Sequence, residues 1–244
     1  MNADRYARQR MLQGMGEEGQ ERLAGATVGV MGVGGLGSPA SMYLAAAGIG
    51  RLVLADPQVP EESNLNRQVL HWTEDVGTRS KVDSAARKLA ALNPNIEVLA
   101  KAVEVSRDNI ADVFEGCTIL LDCLDSVPAR MVLNEHALRT GTPAVHAAVE
   151  GWHGQVTVMV PGKTPCLACL FPRAPRAAGD IPIIGVTAGV FGCLQAGEAI
   201  KLITGIGQPL TSKMLIGDLS SQYWDTVEIG RARECPACSP HSGR

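Results

Sequence analysis

The amino-acid sequence predicts an α/β protein: a Rossmann-like, doubly wound and mainly parallel sheet with an additional C-terminal strand region and a structural zinc site. Three observations carry this reading. Short apolar runs alternate with segments of helical periodicity over the first two thirds of the chain. A glycine run, Gly32-Val33-Gly34-Gly35-Leu36-Gly37, separates the first apolar run from the first long helix. Two cysteine pairs, Cys166 with Cys169 and Cys235 with Cys238, frame the last third.

The elements follow in order. After a polar, helical start, residues 27–31 read as a strand that runs into the glycines and then into a helix over about residues 36–47. Residues 51–55 are the next strand. Val82, Ala85, Leu89 and Leu92 recur at helical spacing and predict a helix over 81–92, stopped by Asn93-Pro94. Residues 96–100, 118–121 and 144–147 are further strands separated by helical segments, the alternation of a parallel sheet with crossover helices. From Gly154 the pattern changes. Residues 155–160 and 214–216 read as strands, with a helix over 186–203 between them.

With 244 residues the chain suits one domain, 1–244, divided into a nucleotide-binding part (1–150) and a zinc-stapled part (151–244). Lys plus Arg number 22 against 25 Asp plus Glu, and no basic block advertises nucleic acid. The uncharged stretches 23–50 and 181–197 read as buried strand, loop and helix and as a core helix, so no membrane partner is expected. Without an export-type N-terminal segment the expected compartment is the cytoplasm, where seven cysteines are better explained as metal ligands or core thiols than as disulfides.

The glycine run fits a phosphate-binding turn, because glycines let the backbone approach a phosphate and the start of a helix favours its charge. Asp56, at the end of the next strand, is suited to ribose hydroxyls. Those two features alone fit a NAD(P)-dependent oxidoreductase as well as an ATP enzyme. The residues that follow decide. Ser63, Asn64, Leu65, Asn66 and Arg67 come after the acidic strand end, Lys81 opens a helix, and Asp125 and Ser126 follow a later strand. Arg67 and Lys81 suit charge developing on a phosphate, and Asp125 suits the Mg²⁺ that escorts ATP. Singly, each also reads as a surface ion pair, a solvated first-turn residue or a helix cap. Cys166, Cys169, Cys235 and Cys238 supply four thiolates for a closed tetrahedral Zn²⁺ site.

In this ordered set, from Arg5-Tyr6-Ala7-Arg8-Gln9 through the glycine run, Ser63 to Gln68, Asp122 to Ser126, Gly154 to Val158 and both cysteine pairs, the chain resembles the MoeB, ThiF and HesA family, relatives of the ubiquitin-activating enzymes. The resemblance implies a homodimer that adenylates the C-terminal Gly-Gly carboxylate of a small ubiquitin-like sulfur-carrier protein with ATP and Mg²⁺, with structural Zn²⁺ and a sulfurtransferase as a further partner. It implies that residues 151–244 bind the carrier. It places Gly35 at the phosphates, Asp56 at the ribose, Ser63 to Arg67 along the nucleotide, Lys81 on the phosphate chain, Asp125 and Ser126 at the metal, and Arg8 in the other subunit's site.

The chain departs from the family where several relatives carry a reactive cysteine: residues 170–182 hold none, only Arg173 and Arg176 among residues of note. Cys193, Cys117 and Cys123 read as buried, inert thiols. His71, His136, His146, His153 and His241 suggest no triad or metal set. The alternatives weighed are the oxidoreductase, a non-catalytic scaffold for a ubiquitin-like partner and a tRNA-modifying adenylating relative.

Overall fold

The computed structural model describes residues 4–172 and 181–239. Two short helices, α1 (Ala7–Arg10) and α2 (Gly16–Ala24), precede the sheet. Then come β1 (Thr27–Met31), α3 (Gly37–Ala47), β2 (Arg51–Ala55), α4 (Lys81–Leu92), β3 (Glu97–Lys101), α5 (Ile110–Val113), β4 (Ile119–Asp122), α6 (Val127–Thr140) and β5 (Ala144–Glu150). The last third holds β6 (His153–Met159), α7 (Leu167–Leu170), α8 (Gly185–Thr204), β7 (Lys213–Asp218) and β8 (Tyr223–Glu228). All the strands join one sheet in the order β3-β2-β1-β4-β5-β6-β7-β8. Pairing is parallel from β3 to β5 and antiparallel from β5 to β8.

The central strands are apolar on both sides because both sides are covered. Val28 and Val30 of β1, Leu52 and Leu54 of β2, and Ile119 and Leu121 of β4 enter one core with α2, α3, α4 and α8. Their neighbours Met31, Val53, Ala55 and Leu120 enter a second core with α5, α6 and α7. Alternation of side chains along a strand thus feeds two layers from one run of residues. Aliphatic side chains dominate both, as the scarcity of aromatics requires.

Helix α8 is long and apolar enough to cross a membrane by length and composition. It packs instead on α3 and the sheet, burying Phe191, Gln195, Glu198 and Ala199. Cys193 lies off that buried stripe and is half-buried, so the expectation of a buried thiol is corrected: an uncharged stretch is not buried all round. Cys117 is also half-buried. Leu92, the last residue of α4, is 40% exposed, whereas Leu89 one turn earlier is fully buried. The sequence reading missed β8, whose residues are polar or exposed and pair only with β7.

Candidate functional site

Winding of the parallel half reverses between β1 and β4, which lie side by side. Loops leaving the carboxyl ends of such strands diverge and open a crevice. The glycine run leaves β1 and residues 123–126 leave β4, so both segments border it. Their first residues are held to the sheet: Gly32 N–H donates to Ala55 O at 2.8 Å and Cys123 N–H to Met31 O at 3.0 Å. Gly32 has φ +92°, and a Cβ there would lie 2.7 Å from the Cys123 carbonyl oxygen. A Cβ on Gly37 would lie 2.0 Å from Gly32 O. Only glycine permits this turn and the close approach of the α3 start.

Asp56 is buried at the end of β2. Its Oδ2 accepts the Val33 amide and its Oδ1 the Gln58 amide, both at 2.9 Å. A carboxylate has lone pairs beyond these two bonds, which leaves capacity for a ligand hydroxyl. Ser63 and Asn64 close a 3₁₀ turn, Glu62–Asn64, that leads through Leu65 and Asn66 to Arg67. The Arg67 guanidinium donates to Ser63 O and Asn66 Oδ1, both at 2.9 Å. Arg67 also lies against Gly35, where a Cβ would be 3.7 Å from Arg67 Cγ.

Ser80 caps α4 by accepting the Asp83 amide at 3.1 Å, and this fixes the helix start at Lys81. Lys81 is only 3% exposed, and its Nζ donates to Gln58 Oε1 at 2.6 Å. Loss of hydration lowers its hold on the proton; the charges of Asp56 and Asp125 oppose that shift and Arg67 reinforces it. Four sequence-predicted residues, Asp56, Arg67, Lys81 and Asp125, therefore share one electrostatic field.

Asp125 and Ser126 are exposed on the loop after β4, and Ser126 occupies the N-cap position of α6 without a side-chain cap bond. Buried Asp122 shapes that loop. Its Oδ1 accepts the Leu124 amide at 3.3 Å, and its Oδ2 lies 2.6 Å from His146 Nδ1. Arg130 reaches Asp122 at 3.7 Å and donates to Leu124 O. Burial opposes the charge on Asp122, but Arg130 and His146 hold its carboxyl below the ordinary range. Arg8 is exposed on α1 and, among the described residues, joins none of the crevice's hydrogen bonds or ion pairs. Sequence reasoning missed Gln58, Asp122, Arg130 and His146 as shapers of the site; only their contacts reveal them.

The four predicted thiols meet at one point: the sulfurs of Cys166, Cys169, Cys235 and Cys238 all lie within 4.8 Å of one another. Neighbouring sulfurs are 3.9, 3.6 and 3.4 Å apart. A tetrahedral ion with Zn–S bonds of about 2.3 Å requires S···S near about 3.8 Å, whereas a disulfide needs about 2.05 Å. Burial opposes ionisation of Cys235, but the Ala237 and Cys238 amides and neighbouring thiols bring it down to about 7. The donor set fits a closed zinc site. Elsewhere burial pushes the thiols up, Cys117 to about 12 and Cys193 in the same direction. Arg173, Arg176 and His241 lie outside the described residues.

A glycine loop at the switch point with a buried lysine that feels the charges of Asp56 and Asp125 marks a nucleotide-binding enzyme of the doubly wound α/β class. Comparison with known proteins narrows this: the chain matches the ThiF family over residues 6–237 and belongs to it. It is an adenylyltransferase of the ubiquitin-activating type, which sets aside the nicotinamide-dependent oxidoreductase. It is 41% identical over 241 residues to the SAMP-activating enzyme E1 of Haloferax volcanii, covering 96% of this chain and 88% of that one. It is 39% identical over 246 residues to the sulfur carrier protein adenylyltransferase of Thermus thermophilus, covering 96% and 90%. The solved structure of Escherichia coli MccB with ATP superposes with a TM-score of 0.85 at 25% identity, covering 98% of this chain and 75% of that one.

Proposed function

We propose that the chain uses MgATP to adenylate the C-terminal carboxylate of a small ubiquitin-like sulfur-carrier protein ending in Gly-Gly. A carboxylate oxygen attacks the α-phosphorus, pyrophosphate leaves, and the carrier acyl-adenylate passes to a separate sulfurtransferase. The observation that carries this reading is the shared field of Lys81, Arg67, Asp56 and Asp125 beside the glycine loop. Two cations there answer charge on the phosphates, Asp125 suits the Mg²⁺ and Asp56 the ribose. The carrier's carboxylate is ionised at neutral pH, so the step needs no protein nucleophile.

The chain works as a homodimer in which Arg8 completes the partner's site, and its four clustered cysteines hold structural Zn²⁺. Names of the relatives support the carrier class, since the Haloferax and Thermus proteins are called SAMP-activating and sulfur-carrier-adenylylating. The test mixes the chain with ATP, Mg²⁺ and candidate Gly-Gly carriers and measures pyrophosphate. Release that depends on one carrier and on its free C-terminus is expected. A chain that binds such carriers tightly yet releases no pyrophosphate with any of them would be the scaffold instead.

A further inference from the structure

We propose that His71 is a positioning residue for the nucleotide: by holding the Val33 carbonyl it aims the Gly34 amide into the phosphate site. The inference rests on the adenylation reading above. Among the described residues, the Gly34, Gly35 and Leu36 amides donate to no protein acceptor, so the loop offers them to a ligand. Their direction matters more than their presence. Val33 C=O and Gly34 N–H belong to one trans peptide plane and point in opposite directions. Whatever grips that carbonyl therefore sets where the Gly34 amide points.

The closer grip comes from His71 Nε2, 2.8 Å from Val33 O, against 3.5 Å for the Ser38 hydroxyl. On the other side of the same residue, Asp56 Oδ2 holds the Val33 amide at 2.9 Å. Val33 is thus fixed at both its peptide bonds. His71 is 3% exposed, so the ring has little room to turn away, and its backbone N–H donates to Gln68 O at 2.9 Å.

The proton count supports the same assignment. A carbonyl oxygen only accepts, so Nε2 must carry a hydrogen. Nδ1 lies 3.0 Å from Ser84 Oγ, which also accepts from Lys88 Nζ at 3.0 Å and lies 2.9 Å from Asp75 Oδ2. Ser84 has one hydroxyl proton for two acceptors. The Ser84 hydroxyl donates to Asp75 Oδ2, which Lys88 and the Trp72 amide also serve, and Nδ1 faces the same hydroxyl oxygen. Burial disfavours a second ring proton most, and Lys81 and Lys88 of α4 act in the same direction; the bond to the Val33 carbonyl and the charge of Asp56 oppose them without reversing the downward shift. His71 is neutral, protonated at Nε2, and it links α4 through Ser84 to the loop between β1 and α3.

Calorimetry of ATP binding, without carrier, tests the clamp on the whole chain. His71→Phe keeps the ring volume and removes both hydrogen bonds; it should weaken ATP about tenfold or more, with the maximal rate at saturating ATP falling far less. His71→Gln brings an N–H to nearly the same point and should regain most of that affinity. Phe and Gln variants that bind ATP as the natural chain does would overturn the proposal, while a natural chain that binds no ATP would overturn the adenylation reading itself. Should His71→Phe fail to fold, the ring tautomer of the natural chain decides. Long-range ¹H–¹⁵N NMR at neutral pH should show Nε2–H, and an Nδ1–H tautomer or an imidazolium would sink the idea.

Discussion

A lysine that is 3% exposed has given up its water shell, and Lys81 replaces it with Gln58 Oε1 and the charges of Asp56 and Asp125. That exchange costs free energy, because one neutral amide acceptor offsets only part of an ammonium's lost hydration. A phosphate oxygen arriving beside the glycine loop would offer a stronger partner than the neutral amide of Gln58. Lys81→Ala and Arg67→Ala should each reduce carrier-dependent pyrophosphate release by about 10² or more, as for loss of a transition-state charge stabiliser. Rates within a fewfold of the natural chain would remove both from the chemistry. The sequence singles these residues out because their order after a glycine loop is distinctive. Gln58 and Asp122 are not singled out. They act through Lys81 and His146, which lie 23 and 24 positions away and form no spacing pattern.

Among the elements, the cysteine turns depend on each other across the chain. Cys166 sits at the N-cap position of α7 and Cys235 lies beyond β8, yet their sulfurs are 3.6 Å apart. Arg231 adds bonds to Gly162 O at 3.2 Å and Cys238 O at 2.6 Å, tying the C-terminal tail to the turn after β6. Without an ion, ionising thiols at this spacing would repel one another, so zinc binding and local folding should be coupled. Cys166→Ser should lose bound zinc and melt at lower temperature, whereas chelation of the natural chain should lower stability before it lowers the ATP affinity of the crevice. Metal analysis that finds no zinc in a well-folded, reduced sample would refute the site. Strand β1, strand β2 and helix α4 were readable to the residue because burial on both faces, or a helical stripe ended by Asn93-Pro94, leaves one solution. Strand β8 was not, because an edge strand needs no apolar run: Lys213 opposite Glu228 and Ile216 opposite Asp225 pair through backbone bonds, and its charges keep the edge from adding another strand.

At the scale of the molecule, the sheet order places the glycine loop and Asp125 at one crevice, but among the described residues of one chain no contact brings Arg8 to it. Helix α1 is nonetheless held in place. Gln9 donates to Ala47 O at 2.8 Å, Asn93 to the Tyr6 hydroxyl at 2.8 Å, and Arg5 to Leu92 O at 2.8 Å. Around it Met11, Leu12 and Tyr43 are 76%, 64% and 59% exposed, large apolar side chains with no cover in the monomer. A second copy over this region would cover them, and the homodimer proposed above would place each subunit's Arg8 in the other's crevice. The dimer can be tested by complementation. Arg8→Ala and Asp125→Ala chains should each be nearly inactive alone, because each homodimer lacks one residue at both sites. Mixed and allowed to exchange, they form heterodimers in which one site lacks both residues and the other has both. With free exchange half of the dimers are mixed, so about a quarter of all sites should recover activity. Mass spectrometry of differently tagged chains measures the exchange independently. Verified exchange with no recovery would mean that Arg8 acts within its own subunit or not at all.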